Sequence, residues 1–238
     1  MKRKLMTVTI IASMIAASLT GCGSTGNTAS GTATTEAAAT TEAGASDTSS
    51  ETAANDLNIM IETPVESLDP QIGQDGTSFE VIADFTDGLM QMDAEGAPIP
   101  AIAESYELSE DGLTYTFHLR DDAKWSNGVE VTAADFVFGW QRAVDPKNAC
   151  EYSYMMSDIG QVKNAAEIIA GEKDKSELGV TALDDTTLQV ELNVPVSYFL
   201  SLMYFPTFYP VNEEFYNTCA DTFASSPETT LANGAFVL

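Results

Sequence analysis

Hydrophobic and polar residues alternate in several stretches of the chain, and this alternation predicts β-strands. Within 113–119, every second residue is a leucine, tyrosine or phenylalanine, which is the period of a strand that buries one face. The same period over 188–192, after the apolar run 180–183 and an Asp184-Asp185 turn, predicts a β-hairpin. The segment 57–61 is rich in aliphatic residues and predicts another strand near the start of the folded region.

Apolar residues at helical spacing predict helices over 78–90, 131–144 and 161–170. In the second of these, Thr132 and Asp135 approximate a capping box, and the proline that follows excludes a helical conformation at its end. The third is followed by a glycine, a residue that commonly ends helices. Helices and strands are therefore mixed along the chain, which indicates an α/β or α+β fold.

The N-terminal segment 1–21 has the organisation of a secretory signal peptide. Its basic start, 2–4, is followed by the apolar run 5–19, which is shorter than the about 20 residues that a membrane span needs. The cysteine after Leu-Thr-Gly resembles that of a bacterial lipobox, which implies that Cys22 is lipidated and becomes the mature N-terminus. Two or more acyl chains anchor a protein stably. We therefore expect a protein on the bacterial cell surface, held outside the cytoplasmic membrane by a lipid anchor.

The segment 22–54 predicts a disordered tether between the lipidated cysteine and a folded domain. Beyond Cys22 it consists mainly of Ser, Thr, Ala and Gly, and it has no aromatic or large aliphatic residue. Such a segment buries too little apolar surface to offset the entropy of an ordered backbone. The folded domain is expected over 55–238, which is long enough to enclose a hydrophobic core.

The acidity of the chain limits its partners. It carries 36 Asp and Glu against 10 Lys and Arg, for a formal net charge of −26, and three of the basic residues lie in the signal peptide. Such a chain repels phosphate backbones and anionic lipid head groups, so nucleic acid is not an expected partner. A cationic ligand is compatible with this charge, although the charge does not imply one.

Catalytic and metal-binding chemistry has little support in the residues. The only histidine, His118, falls on the polar side of the predicted strand 113–119, where we interpret it as a solvated residue. A single histidine offers no cluster with metal-ligand spacing, and we expect neither an enzyme nor a bound cofactor. Cys150 and Cys219 are interpreted as separate thiols, with a disulfide as the alternative that an exocytoplasmic location allows.

Residues 103–107, 111–128 and 131–146 contain distinctive motifs, among them Trp-Ser-Asn-Gly at 125–128 and Trp-Gln-Arg at 140–142. These stretches closely resemble the signature region of the extracellular solute-binding proteins of family 5, the substrate-binding lipoproteins of oligopeptide and dipeptide ABC transporters. The resemblance begins at Leu-Asp-Pro (68–70) and ends at Asn-Gly-Ala-Phe (233–236). Much of the signature can also be explained by folding alone, because Trp-Ser-Asn-Gly is typical of a turn with an anchored aromatic residue.

This resemblance implies a periplasmic-binding-protein-like type II fold of the peptide-binding cluster, with two lobes that close around a peptide. The peptide's backbone pairs with exposed strands in such proteins, which then present it to a permease and ATPase in the membrane. By the family's motifs, the ligand-facing residues of this chain are Gln74, Asp75, Gly76, Tyr152 and Phe205. For Gln74–Gly76 a plain surface turn is the alternative. Phe205 stands where some relatives carry a polar ring, which implies a more apolar pocket wall.

The chain departs from the family at its end, because family members continue beyond Asn-Gly-Ala-Phe into a second lobe. We therefore expect 55–238 to be a truncated N-terminal part of the solute-binding domain, the first lobe without the second. A non-transport surface lipoprotein on the same scaffold, either a peptide sensor or an adhesin, is the alternative function that the sequence leaves open.

Overall fold

The computed structural model describes residues 58–238, so the predictions for the signal peptide, Cys22 and the tether lie outside the described residues. The helices are α1 (Gly76–Phe85), α2 (Ala133–Val144), α3 (Ala165–Ile169), α4 (Phe199–Leu202) and α5 (Glu213–Cys219). The strands are β1 (Met90–Met92), β2 (Pro98–Pro100), β3 (Ala103–Leu108), β4 (Thr114–Leu119), β5 (Val180–Asp184) and β6 (Thr187–Glu191). Short 3₁₀ turns cover Pro146–Asn148, Glu151–Ser153, Lys175–Glu177, Pro206–Phe208, Ala220–Thr222 and Pro227–Thr229, and Met155–Ile159 forms a π-helical turn. Between residues 58 and 238, the structure contains no helix with the length and apolar character that a bilayer crossing requires.

The centre of the fold is an antiparallel sheet with the strand order β3-β4-β6-β5. In this register Phe117 of β4 lies opposite Tyr106 of β3 on one side and Leu188 of β6 on the other. The side chains of β4 alternate between half-buried and buried, as the pattern at 113–119 predicts. That strand and the hairpin formed by β5 and β6 are therefore confirmed. A separate two-stranded hairpin is formed by β1 and β2.

The helix α2 packs against β5 and β6 and buries its apolar face. Phe136 and Trp140 are fully buried, and the indole N–H of Trp140 donates a hydrogen bond of 2.8 Å to the carbonyl of Phe208. At the start of α2, the Asp135 carboxylate accepts a 2.9 Å hydrogen bond from the backbone N–H of Thr132, which is half of a capping box. The helix also ends just before the proline that is predicted to stop it. The prediction of this helix is confirmed.

The predicted helix over 78–90 is wrong at both ends, since α1 covers Gly76–Phe85. The carboxylate of Asp75 accepts the amide of Ser78 and so starts the helix earlier than the apolar spacing indicates. At the other end Thr86 has an extended conformation, and the chain passes into β1 instead of continuing as a helix.

The predicted helix over 161–170 is wrong in its first half, since α3 is only five residues long. Gln161 and Asn164 have left-handed backbones, with φ of 53° and 66°, which interrupts a right-handed helix. Val162 instead forms an isolated β-bridge with Leu192. Val162, which the apolar spacing assigns to a helix, therefore extends the β-structure instead.

The predicted strand over 57–61 is wrong for its described part, 58–61, which has no regular secondary structure. Met60 is 97% exposed, and none of the described strands pairs with this segment. A strand needs a partner for its backbone hydrogen bonds, so apolar residues alone do not form one.

The Trp-Ser-Asn-Gly motif forms a turn whose tryptophan is anchored in the core, which confirms that reading. Trp125 is only 3% exposed, and the Gly128 amide donates a 2.8 Å hydrogen bond to its carbonyl. Gly128 has a φ of 86°, which a side chain would disfavour. The turn also contacts the end of the chain, because the amide of Ser126 donates a 2.7 Å hydrogen bond to the carbonyl of Ala232.

Candidate ligand-binding site

Gln74, Asp75 and Gly76 form the junction between a tight turn and α1. The carboxylate of Asp75 accepts hydrogen bonds of 2.6 Å from the hydroxyl of Ser78 and 2.8 Å from its amide. These bonds, the hydroxyl's first, hold the pKa of Asp75 below its ordinary value. Gln74 is exposed, and Gly76 has open space where a side chain would project. The junction therefore leaves room for the main chain of a ligand.

Phe79, Tyr152 and Phe205 form an aromatic cluster beside this junction. The ring centroids are 5.2 Å apart for Phe79 and Tyr152, 5.2 Å for Phe79 and Phe205, and 5.3 Å for Tyr152 and Phe205. The inclined rings have the geometry that aromatic pairs prefer. The hydroxyl of Tyr152 donates a 3.4 Å hydrogen bond to the carbonyl of Gln74. The structure thus brings together three residues that the resemblance places at the ligand from separate parts of the chain.

Two aromatic residues that contribute to this surface, Phe79 and Tyr154, are not among the ligand-facing residues predicted from the sequence. Phe79 lies in the first turns of α1, where its helical spacing indicates only a core position. The ring of Tyr154 lies 5.8 Å from that of Tyr152 and is 43% exposed. Its position two residues after Tyr152 is the one signal in the sequence that could have identified it.

Short turns hold Tyr152 and Phe205 in place. Tyr152 lies in the 3₁₀ turn Glu151–Ser153, and Phe205 caps the 3₁₀ turn Pro206–Phe208. Both rings pack on the main hydrophobic core of the sheet and α2, whereas Phe79 packs on a smaller cluster around α1. The aromatic cluster therefore joins the two hydrophobic clusters of the domain.

A shallow groove beside Gly76 carries acidic side chains. Its walls are Met60–Thr63 on one side and Asp75–Thr77 with Glu80 on the other. Two threonine hydroxyls, one from each wall, lie 2.6 Å apart and tie the walls together. Because Glu62 also lines the groove, three carboxyl groups surround it, and their charge favours cationic groups over anionic ones.

A buried ionic network connects the Leu-Asp-Pro motif with the end of α2. Arg142 donates hydrogen bonds of 2.6 Å and 3.2 Å to the two carboxylate oxygens of Asp69, and one of 2.6 Å to the side-chain oxygen of Gln71. The amide nitrogen of Gln71 donates a 3.1 Å hydrogen bond to the carbonyl of Tyr209. Arg142, Asp69 and Gln71 are 3%, 6% and 1% exposed. Nothing in the sequence analysis anticipates this network.

The remaining titratable groups are dispersed. His118 lies on the polar side of β4, as predicted, with its ring nitrogen 3.8 Å from the carboxylate of Glu107. Cys150 and Cys219 are both free, which confirms the interpretation as separate thiols, and burial raises the pKa of Cys150 to about 11. Within residues 58–238, no group of three or more His, Cys, Asp or Glu side chains is arranged to hold a metal ion.

An aromatic wall, a capped helix start and an accessible main chain suit the binding of a ligand on this mixed fold. Residues 97–238 match the family model described as bacterial extracellular solute-binding proteins, family 5 Middle. The chain belongs to this family, whose members are solute-binding proteins rather than enzymes.

Individual relatives agree with this assignment. The chain is 44% identical over 172 residues to the probable deoxycholate-binding periplasmic protein YgiS of Escherichia coli, covering 72% of this chain and 32% of that protein. It is 41% identical over 174 residues to the periplasmic oligopeptide-binding protein OppA of Salmonella typhimurium, covering 73% and 32%.

A solved structure shows the same fold. The substrate-binding domain of an oligopeptide ABC transporter from Bacillus anthracis is 48% identical, with a TM-score of 0.71, and the match covers 73% of this chain and 33% of that one. The predicted fold class, that of the periplasmic peptide-binding proteins, is therefore confirmed. This chain spans about a third of the length of the curated relatives it matches, 32% for both proteins compared above.

Proposed function

We propose that the chain is the N-terminal portion of a substrate-binding lipoprotein that captures extracellular oligopeptides for an ABC importer. The protein is anchored through Cys22 outside the cytoplasmic membrane and delivers its peptide to a permease and ATPase complex. The observation that carries this proposal is the convergence of Gln74, Tyr152 and Phe205 on one surface. Membership of the family and the similarity to an oligopeptide-binding protein agree with it.

In the proposed mode of binding, the main chain of the peptide pairs with the junction Gln74–Gly76, and one peptide side chain packs on the aromatic cluster. Backbone pairing gives affinity that does not depend on the peptide's sequence. Burial of an aliphatic or aromatic side chain against the three rings adds roughly 1.5–3 kcal/mol. We therefore expect broad specificity with a preference for an apolar residue at one position of the peptide.

A steroid acid is the second candidate ligand, because the relative YgiS is named for deoxycholate binding. The apolar face of a steroid would also pack on the aromatic cluster. Its carboxylate, however, would approach the groove that Glu62, Asp75 and Glu80 line, where like charges repel. A peptide also has a carboxylate, but it adds an ammonium group and backbone N–H donors that the acidic groove attracts, so peptides fit this surface better.

The first test is calorimetric titration of the gene product, purified as its own cells make it, with short peptides and with deoxycholate. Phe205→Ala is expected to weaken binding of leucine- and phenylalanine-containing peptides by about tenfold or more, and to change binding of polyalanine peptides little. Leu183→Ala, which truncates an exposed side chain of β5, is the control and keeps wild-type affinity. Binding of deoxycholate without binding of any peptide would contradict the proposal.

Anchoring and transport are tested in cells. Replacement Cys22→Ser is expected to abolish labelling by a fatty-acid analogue and to release the protein from the membrane fraction. The control Cys219→Ser is expected to remain labelled and bound to the membrane. Deletion of the gene is expected to prevent growth on peptides as the source of a required amino acid. A sensor or adhesin, the alternative role, predicts unchanged growth on those peptides.

A further inference from the structure

One buried side chain, that of Arg142, connects the chain segments of Gln74 and Phe205 to helix α2. The guanidinium of Arg142 binds the carboxylate of Asp69 through two nitrogens and the side chain of Gln71 through one of them. Gln71 in turn donates to the carbonyl of Tyr209, and the side-chain amide of Asn148 donates a 2.9 Å hydrogen bond to the carbonyl of Arg142. Through its side chain, Arg142 thus joins the segments around Gln71 and Tyr209 to α2, whereas the bond from Asn148 goes to its backbone carbonyl.

Each of these contacts lies close along the chain to a residue of the candidate site. The pairs, separated by three or four positions, are Gln71 with Gln74, Asn148 with Tyr152, and Tyr209 with Phe205.

The turn that leads from the network to the ligand-facing junction is closed by hydrogen bonds of its own. The carbonyl of Asp69 accepts the amides of Ile72 at 3.1 Å and of Gly73 at 2.9 Å. A displacement of Asp69 would therefore move the segment that ends in Gln74, whose carbonyl accepts the hydroxyl of Tyr152.

Arg142 itself has little freedom to move. Its guanidinium carbon lies 4.5 Å from the ring centroid of Tyr216 and 5.2 Å from that of Phe223, within cation–π distance of both. Its planar fork donates to Asp69 and Gln71 at the same time, which the point charge of a lysine cannot reproduce.

We propose that Arg142 is the positioning residue of the ligand-binding site, which holds the segments of Gln74 and Phe205 against α2 and so sets both residues beside Tyr152. Arg142 is buried and acts only through the side chains and turns that it holds. Stability alone does not require such a network, because apolar side chains of similar volume often serve a core equally well. This inference rests on the proposed function, since it concerns the same site.

The test compares Arg142→Lys and Arg142→Met with wild type in the native-length gene product. Arg142→Lys keeps the charge beside Asp69 but loses the simultaneous bond to Gln71. It therefore still provides a test if Arg142→Met does not fold. Val190→Ala, in β6 and outside the network, is the control for a general loss of stability. Peptide affinity is measured by calorimetry, and backbone exposure by hydrogen exchange resolved to short segments.

We expect Arg142→Lys to reduce peptide affinity about tenfold, because side chains that are no longer pre-ordered must be immobilised on binding. Hydrogen exchange should accelerate within 72–78 and 205–209, while 148–154, whose bond to the backbone carbonyl of residue 142 is unchanged, keeps its protection together with β4 and β6. Val190→Ala should retain wild-type affinity even where its unfolding midpoint falls as far as that of Arg142→Lys.

Two results would overturn the inference: wild-type affinity in Arg142→Lys, or an equal loss of affinity in Val190→Ala at equal loss of stability. If wild type binds no peptide, the proposed function fails, and the exchange data alone decide the positioning role. Faster exchange confined to 72–78 and 205–209 then supports it, and uniformly faster exchange contradicts it.

Discussion

The indole N–H of Trp125 donates a hydrogen bond of 3.0 Å to the carboxylate of Asp135. This bond joins the Trp-Ser-Asn-Gly turn to the first turn of α2, and the same carboxylate accepts the amide of Thr132 and the side chain of Asn212. Asp135 is therefore a buried carboxylate that accepts hydrogen bonds from three residues, Trp125, Thr132 and Asn212. The pair joins two separate stretches of this chain that resemble the family signature.

Replacement Trp125→Phe is expected to lower the free energy of unfolding by about 1 kcal/mol more than Trp140→Phe does. Both replacements remove the same ring volume and one hydrogen bond from a buried position. Trp125 donates to a carboxylate, however, whereas Trp140 donates to the neutral carbonyl of Phe208, and bonds to charged groups are stronger. Urea unfolding at neutral pH measures the difference. An equal loss of unfolding free energy in the two variants would show that the bond to the Asp135 carboxylate is no stronger than the bond to the Phe208 carbonyl.

Asp135 also predicts a specific pH dependence. Burial raises the pKa of its carboxyl above the ordinary 3.8, although its hydrogen bonds, first that from the Thr132 amide, oppose the shift. The folded protein then keeps this proton to higher pH than the unfolded chain does. This carboxyl therefore makes the free energy of unfolding fall as pH rises from about 3.8 through the raised pKa.

The measurement for this pH dependence is the difference in unfolding free energy between wild type and Asp135→Asn across the acid range. Other carboxyl groups are common to both proteins and cancel in the difference. The value for wild type minus variant should decrease with rising pH and become constant above the raised pKa. A difference that increases with pH would mean that the hydrogen bonds outweigh burial.

The two described cysteines should differ in reactivity. Burial raises the pKa of Cys150 to about 11, and the thiolate is the reactive form, so alkylation at neutral pH should be on the order of a hundredfold slower than for an ordinary thiol. Cys219, half-buried at the end of α5, is the internal comparison. Peptide mapping after timed alkylation of Cys22→Ser protein measures both rates. Rates that remain different in denaturant would indicate a cause other than burial.

Alanine replacements at three glycines should have different effects on the free energy of unfolding. Gly76→Ala is expected to stabilise by about 0.5–1 kcal/mol, because Gly76 lies in α1 with open space around its missing side chain. Gly139→Ala is expected to destabilise by about 1–3 kcal/mol, because its Cβ would lie 2.6 Å from the carbonyl oxygen of Tyr209. Gly171→Ala also has space but a φ of 74°, so about 1 kcal/mol of strain is expected.

Thermal and urea unfolding of the three variants check these values. Stabilisation by Gly139→Ala would mean that the contact between α2 and the segment around Tyr209 is looser than its distances indicate. Gly76→Ala has a second readout, since a methyl group at the proposed ligand-facing junction should reduce peptide affinity while the fold becomes more stable.

Element types were predictable from local pattern where burial is one-sided. The strand at 113–119 and the β5–β6 hairpin show their period of two directly, because one face of the sheet is covered by α2. Boundaries were not predictable where a local conformation competes with the pattern. The Asp75 cap moved the start of α1, and the left-handed backbone at Asn164 delayed the start of α3.

In the candidate site, too, local sequence patterns do not predict the contacts between residues that are distant in the chain. Only the resemblance points to Tyr152 and Phe205, and nothing in their local sequence indicates that their rings lie 5.3 Å apart. Phe79 completes the cluster from a helix whose spacing indicates only a core face. Arg142 and Asp69 are 73 positions apart, and neither stands in a pattern that predicts a buried ion pair.

By itself, the sequence determined the mixed fold class, the strand at 113–119, the helix that begins after Thr132 and the two separate thiols. These features depend on periodicity, capping and composition, which act over a few residues. Only the tertiary structure decided which aromatic rings form one surface and which charges are buried together. Those contacts depend on how the segments around Asp69, Arg142 and Tyr209 pack, and packing joins residues that no local pattern relates.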